Sequence, residues 1–234
     1  MTKKLIILFV AIGATCICQA QGTNHGYGML TDTPTAAYTA QTPPLVALRT
    51  NLVYWAAIVP QVTPNAGIEF GLSKKMTFNL IGAYNPWNLN GSETNNKKLV
   101  HFIVEPEVRY WFCERFNGSA IGVHGIFSKF NIGGYKIPLL FSKNAKYTNS
   151  SGQTVILKPE EQRNEGWGAG AGVSYNYHWI LSKHFGIEFS LGVGFIYMKY
   201  DKYKCATCDD FLGSYKNSYM GPTKIGINLI YVIK

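Results

Sequence analysis

Polar and apolar positions alternate with a period of two through much of the second half of the chain. Between 166 and 178 the even positions are Gly166, Gly168, Gly170, Gly172, Ser174, Asn176 and His178, and the odd ones Trp167, Ala169, Ala171, Val173, Tyr175 and Tyr177. After the break Leu181-Ser182-Lys183-His184 the alternation resumes, with Phe185, Ile187, Phe189, Leu191, Val193, Phe195 and Tyr197 against Gly186, Glu188, Ser190, Gly192 and Gly194. A period of two sustained over so many residues is a strand signal. Each run has the roughly 9–11 residues a bilayer crossing needs, apolar on one face, with aromatic residues at its ends. The glycines on the opposite face suit the crowded inside of a narrow barrel.

The same pattern predicts six further strands, over 47–57, 65–72, 76–85, 100–112, 120–132 and 218–233. In the first, Leu48, Thr50, Leu52 and Tyr54 point outward and Arg49, Asn51, Val53 and Trp55 inward. Ala66, Ile68, Phe70 and Leu72 follow outward in the second, and Met76, Phe78, Leu80 and Tyr84 in the third. The fourth places Phe102, Val104, Val108, Tyr110 and Phe112 outward and His101, Glu105, Glu107, Arg109 and Trp111 inward; Pro106 lacks an N–H, so a bulge or a lost hydrogen bond is expected there. Short turns fall after the second, fourth and sixth strands, and longer loops over 86–98, 133–164 and 201–217. The link after the first strand is the exception. Short turns on one side and long loops on the other are the habit of outer-membrane barrels. The expected fold is therefore all-β: an eight-stranded antiparallel up-and-down transmembrane β-barrel with both termini periplasmic.

Composition changes the picture at the start of the chain. Lys3 and Lys4, an apolar run to Cys18 and the small-residue site Cys18-Gln19-Ala20 form a secretory signal over 1–20. Its removal takes two lysines from a net charge of +9, leaving +7, and about 214 of 234 residues. Export implies an oxidising compartment. Residues 21–45 are rich in Gly, Thr and Pro without periodicity, a flexible periplasmic leader. The barrel takes the remaining 46–234.

Near the C-terminus, Lys224, Gly226, Leu229 and Tyr231 resemble the insertion signal read by the barrel-assembly machinery. The motifs Leu48-Arg49-Thr50-Asn51-Leu52, Pro64-Asn65-Ala66-Gly67-Ile68-Glu69-Phe70 and Glu105-Pro106-Glu107-Val108-Arg109-Tyr110-Trp111-Phe112 resemble a family of small Bacteroidota outer-membrane barrels, a domain of unknown function similar in build to the OmpA-type transmembrane barrel. The resemblance spans about 46–234 and implies location and fold. Because some members lie beside fimbrial or other surface components, it also implies an accessory role in such an assembly, and it brings no catalytic residues.

Candidate chemistry is sparse. Arg49, Glu69, Glu105, Glu107, Arg109, Glu188 and Lys224 all fall on inward positions, as they should, since a charge facing mid-bilayer lipid costs up to roughly 2–4 kcal/mol. Their expected role is a polar network filling a closed lumen; a gated ion path and proton transfer by Glu105 and Glu107 are the competing readings. Cys205 and Cys208 are read as a disulfide pinning the last loop, because a lone CxxC lacks the four ligands of a structural zinc site. Cys113 is left over as a free, half-buried thiol at a turn. His101, His124 and His178 point inward, away from any lipid substrate. The long loop carries Lys136, Lys143, Lys146, Lys158 and Arg163, either solvated or in contact with lipopolysaccharide phosphates. Its apolar segments at 139–141 and 155–157 form either a hairpin over the mouth or an exposed patch. The expected function is a non-enzymatic surface or envelope component without cofactor, metal or nucleic-acid partner, the alternatives being an outer-membrane lipid-modifying enzyme and a narrow solute channel.

Overall fold

Strand alternation becomes a closed architecture once each strand's two edges are traced. A computed structural model describes residues 45–56, 62–88, 97–137, 140–141, 144–148, 152–205 and 210–233. The expected signal peptide and nearly all of the leader lie outside the described residues. The strands are β1 (Val46–Asn51), β2 (Asn65–Gly71), β3 (Met76–Asn85), β4 (Lys98–Trp111), β5 (Gly118–Gly133), β6 (Ala145–Thr148), β7 (Thr154–Leu157), β8 (Gln162–Ile180), β9 (Phe185–Lys204) and β10 (Phe211–Ile233). Eight of them pair antiparallel in the order β1-β10-β9-β8-β5-β4-β3-β2, and β1 pairs back onto β2, so the sheet closes into a ring. The other two, β6 and β7, make a separate hairpin.

The register fixes the size of the ring. From Val232, paired positions run through Ala47, Glu69, Asn79, Glu107, His124, Gly172 and Gly194 and return to β10 at Gly221, eleven residues from the start. One of those eleven is the extra residue of a register shift between Pro222 and Lys224, which leaves a stagger of ten. With strands about 4.8 Å apart and about 3.3 Å per residue, eight strands so staggered tilt by about 40° on a backbone radius of about 8 Å. Inward side chains fill a ring of that radius.

Burial runs opposite to that of a water-soluble sheet. Among the described residues, 24 polar or charged side chains are buried against 17 apolar ones, while Phe70, Tyr84, Phe102, Tyr110, Phe127, Val173, Phe185, Phe195 and Tyr231 are exposed. Polar groups therefore face the ring's interior and apolar groups its outside. Among the described residues no helix is long and apolar enough to cross a membrane, which says nothing about strands.

Three elements depart from the expected layout. The first strand stops at Asn51, whose side chain accepts the N–H of Val53 at 3.0 Å and caps a short helix, α1 (Leu52–Trp55). A side-chain acceptor at the N-cap offers the backbone a turn in place of a ladder. Tyr54, expected outward, consequently donates its hydroxyl to Glu105 inside the ring at 3.3 Å, whereas Trp55, expected inward, is 44% exposed. The loop expected over 201–217 is largely a continuation of β9 and β10, paired as far as Tyr203↔Phe211. Within the loop expected over 133–164 stands the β6–β7 hairpin, followed by a 3-10 helix (Pro159–Glu161) that leads into β8.

At Pro106 the ladder to β5 lapses between Val104↔Phe127 and Glu107↔His124, yet the register is unchanged across the gap. The missing N–H thus removes pairing without adding a bulge. Cys113 is half-buried and disulfide-bonded, correcting the expectation of a free thiol; an accessible thiol in a turn is open to oxidation.

Glycine is required where β8 and β9 curve past one another. A Cβ at Gly170 would strike the Phe195 carbonyl and lie 2.9 Å from Ile196 Cα; at Gly194 it would strike the Ala171 carbonyl and lie 2.7 Å from Gly172 Cα. These are backbone atoms and cannot swing aside. Gly170→Ala is expected to cost about 1–3 kcal/mol. Gly82→Ala, where nothing stands within 4 Å, is expected to be neutral or stabilising by a few tenths of a kcal/mol. Urea titrations of both variants in detergent micelles check the contrast, and equal losses would remove the steric account.

Candidate functional site

The interior is layered from the end bearing the short turns (the turn end) to the end bearing the long loops (the loop end). At the turn end, Ala47, Ala120, Ile230 and Val232 pack with Trp111 and Phe116 into a buried apolar floor. Trp111 is fully buried, donates its indole N–H to Thr77 Oγ1 at 2.9 Å and lies 6.0 Å from the Phe116 ring. Phe116 reaches that position from a turn, with φ at 61°. A bulky residue in the left-handed region costs about 1–2 kcal/mol, which burial of its ring offsets.

Above the floor the charges meet. Arg109 reaches Glu107 Oε2 at 2.6 Å, Glu188 Oε2 at 2.9 Å and Glu69 Oε2 at 3.1 Å. Arg49 bridges Glu69 at 2.6 Å and also pairs with Glu188, while Lys224 Nζ lies 2.6 Å from Glu107. Thr77 donates to Glu69 at 2.5 Å, Ser190 to Glu188 at 2.9 Å, and Ser174 to Glu107. Three cations thus face three carboxylates with almost no solvent exposure, and hydroxyls complete the carboxylate shells, the condition under which buried ion pairs are tolerated.

Six of the seven residues expected to form the polar network are joined in this way. Glu105 is the exception. It is buried on the same interior but accepts from the Tyr54 hydroxyl and enters no ion pair among the described residues. His101, His124 and His178 also point inward: His124 Nε2 shares a hydrogen bond of 2.9 Å with Thr223 Oγ1, and His178 packs 6.3 Å from Trp111. Among the described residues no group of three or more His, Cys, Asp or Glu is placed to hold a metal.

At the loop end the interior turns apolar again, which the alternation alone did not anticipate. Leu99, Phe130, Ile132, Phe141, Met198 and Tyr200 form a second buried cluster, with Ile137, Leu140, Ile196 and Tyr219 against it. Phe141 sits 5.2 Å from Phe130 and 5.1 Å from Tyr200, so one apolar part of the long loop packs into the mouth. Val155 and Ile156 of β7 instead stay 40% and 59% exposed. The signal was present in Phe195-Ile196-Tyr197-Met198, where both faces of the strand become apolar.

Around that mouth, Arg163 lies over the Tyr203 ring at 4.2 Å and Lys202 over Tyr215 at 4.9 Å, and Lys202 also donates to Gln162 at 2.9 Å. Cys205 is buried at the base of the last loop; Cys208 lies outside the described residues, and with it the expected disulfide. Of the expected insertion signal, Leu229 and Tyr231 face outward and Lys224 inward on the final strand, with Gly226 beside Asn51.

Neither a curated protein nor a solved structure matches the chain. One family model does match, over residues 27–233, nearly the whole length. The chain therefore belongs to the family described as protein of unknown function, DUF3575.

Proposed function

We propose that this protein is a closed, non-enzymatic outer-membrane β-barrel of OmpA-type build, inserted by the barrel-assembly machinery after export. Its turn end and both termini face the periplasm, and its loop end faces outward as a surface or envelope component accessory to a larger surface assembly, as in the Bacteroidota proteins its motifs resemble. The observation that carries the reading is the inverted burial, with ionised groups sealed inside and apolar side chains presented outward. Twelve residues separate Phe185 from Tyr197 along β9; at about 3.3 Å each and about 40° of tilt they rise about 30 Å, close to a bilayer's hydrocarbon thickness. Ring closure supports the same reading, because an open sheet edge has no place in lipid.

Against a solute channel stand the floor of Trp111 and Phe116, the ion-pair layer and the aromatic mouth. Against a lipid-modifying enzyme stands the inward direction of His101, His124 and His178, which leaves the outer face of the strands without a histidine among the described residues. The expected result is a protein recovered from envelopes only with detergent and silent in planar bilayers. A monodisperse, folded protein in detergent-free buffer would overturn the membrane assignment, and steady conductance from the folded monomer the sealed interior. Pull-down from mildly solubilised envelopes tests the accessory role, which predicts a stable companion held through the loop end.

A further inference from the structure

On the outer face, the register brings together one row of side chains across six strands. Tyr84 pairs with Phe102, Phe102 with Lys129, Lys129 with Trp167, Trp167 with Lys199, and Lys199 with Lys216. Residues paired in register stand on one face, with Cβ atoms about 4.5–5.5 Å apart, so Lys129 and Lys199 flank Trp167 on either side and Lys216 stands next to Lys199 on the following strand. All three lysines are exposed, and none makes a hydrogen bond or an ion pair among the described residues. Two of them, Lys199 and Lys216, are directly opposite, a like-charge pair that destabilises a sheet unless something sits between. The acidic residues one row toward the loop end are engaged elsewhere: Glu165 with Arg163 at 2.6 Å, and Asp201 with the Ser214 hydroxyl at 2.5 Å.

Below the lysines the surface changes character. Ala169 and Ala171 carry small side chains outward along β8 between the walls of Phe127 and Tyr197, the register partners of Ala169. The trough runs on into an apolar groove of about 490 Å³ lined by Val108, Val123, Val173 and Val193. A cationic triad therefore stands at the head of an apolar channel, at the level where the proposed lipid-facing band gives way to the loop end.

We infer that Lys129, Lys199 and Lys216 form a binding site for the phosphate groups of an anionic lipid of the outer leaflet, whose acyl chain lies along the Ala169–Ala171–Val173 trough. The charge calls for a phosphate, the indole for an interfacial position, and the trough for a hydrocarbon tail; only a lipid supplies all three. The inference rests on the outer face being lipid-facing, as proposed above.

The test uses the mature chain inserted into phosphatidylcholine vesicles doped with diphosphorylated lipid A or with its dephosphorylated form, followed by detergent extraction and native mass spectrometry of retained lipid. The variant Lys129→Gln/Lys199→Gln/Lys216→Gln is expected to hold at least about tenfold less of the phosphorylated lipid, three charges having been lost at the surface. The control Lys74→Gln/Lys75→Gln/Lys183→Gln, at the turn end, is expected to hold the wild-type amount. Equal retention by the triple variant and the wild type, both inserted, would overturn the lipid site alone, as would equal retention of the dephosphorylated form. Failure of the wild type to insert at all would overturn the membrane reading and this site with it. Because the three side chains take no part in the interior network, heat-modifiable mobility on gels is expected to show both variants folded.

Discussion

Replacing Arg109 with methionine is expected to lower the unfolding free energy by about 3–5 kcal/mol, the usual range for removing one partner of a buried ionic cluster. The guanidinium is fully buried and joins three carboxylates from three strands, Glu69 on β2, Glu107 on its own β4 and Glu188 on β9. Without it, Arg49 and Lys224 are left to balance three negative charges in a space that excludes water. Urea titration in detergent micelles, followed by tryptophan fluorescence, measures the loss. The double variant Arg109→Met/Glu188→Gln restores the count of opposite charges and is expected to recover part of it, which a double-mutant cycle quantifies. A loss below about 1 kcal/mol for Arg109→Met would mean that the carboxylates are solvated, and the sealed interior would fall with that result.

Trp111→Ala is expected to be comparably severe, about 3–5 kcal/mol, the range for deleting a buried aromatic ring. The indole fills the centre of the apolar floor between Phe116, Ala47 and Ala120, and the strands cannot contract around its absence because the stagger fixes their radius. A second cost follows from Phe116, whose left-handed backbone is held by the ring contact that would vanish. Trp111→Phe keeps much of the volume and loses the hydrogen bond to Thr77, an expected cost of about 1 kcal/mol beyond the smaller ring. Equal losses for the two variants in the same titration would show that the floor contributes a hydrogen bond and no packing.

The ring was legible because a strand with two different surroundings must alternate, and 166–178 of β8 and 185–194 of β9 do so without interruption. Inward placement of Arg49, Glu69, Glu107, Arg109, Glu188 and Lys224 followed from parity alone. Which of them touch did not, since contact depends on the stagger, and the stagger is a property of the closed ring. Glu105 shows the limit: parity puts it inside, but the chain beyond Asn51 turns into α1 and delivers Tyr54 to it. That turn rests on one side-chain hydrogen bond to Val53, which interrupts no alternation in the sequence. The length of β9 and β10 was hidden for another reason. Beyond Tyr200 the polar run Asp201-Lys202-Tyr203-Lys204 has the composition of a loop, and it is pairing with Gln162 to Glu165 on one side and with Phe211 to Ser214 on the other that makes it strand. The apolar mouth was missed because a strand apolar on both faces, as at Phe195-Ile196-Tyr197-Met198, carries no parity to read.

The first and last strands meet along a junction only six residues long on the β1 side, whereas β10 has 23 residues. Arg49 reinforces it, gripping Glu69 on one neighbour and reaching across β10 to Glu188 on β9. In a chain synthesised from its N-terminus, that reach becomes available only after the final segment has been delivered. Zipping up and charge compensation are therefore one event: a stalled or shortened product keeps unmatched ions at its rim.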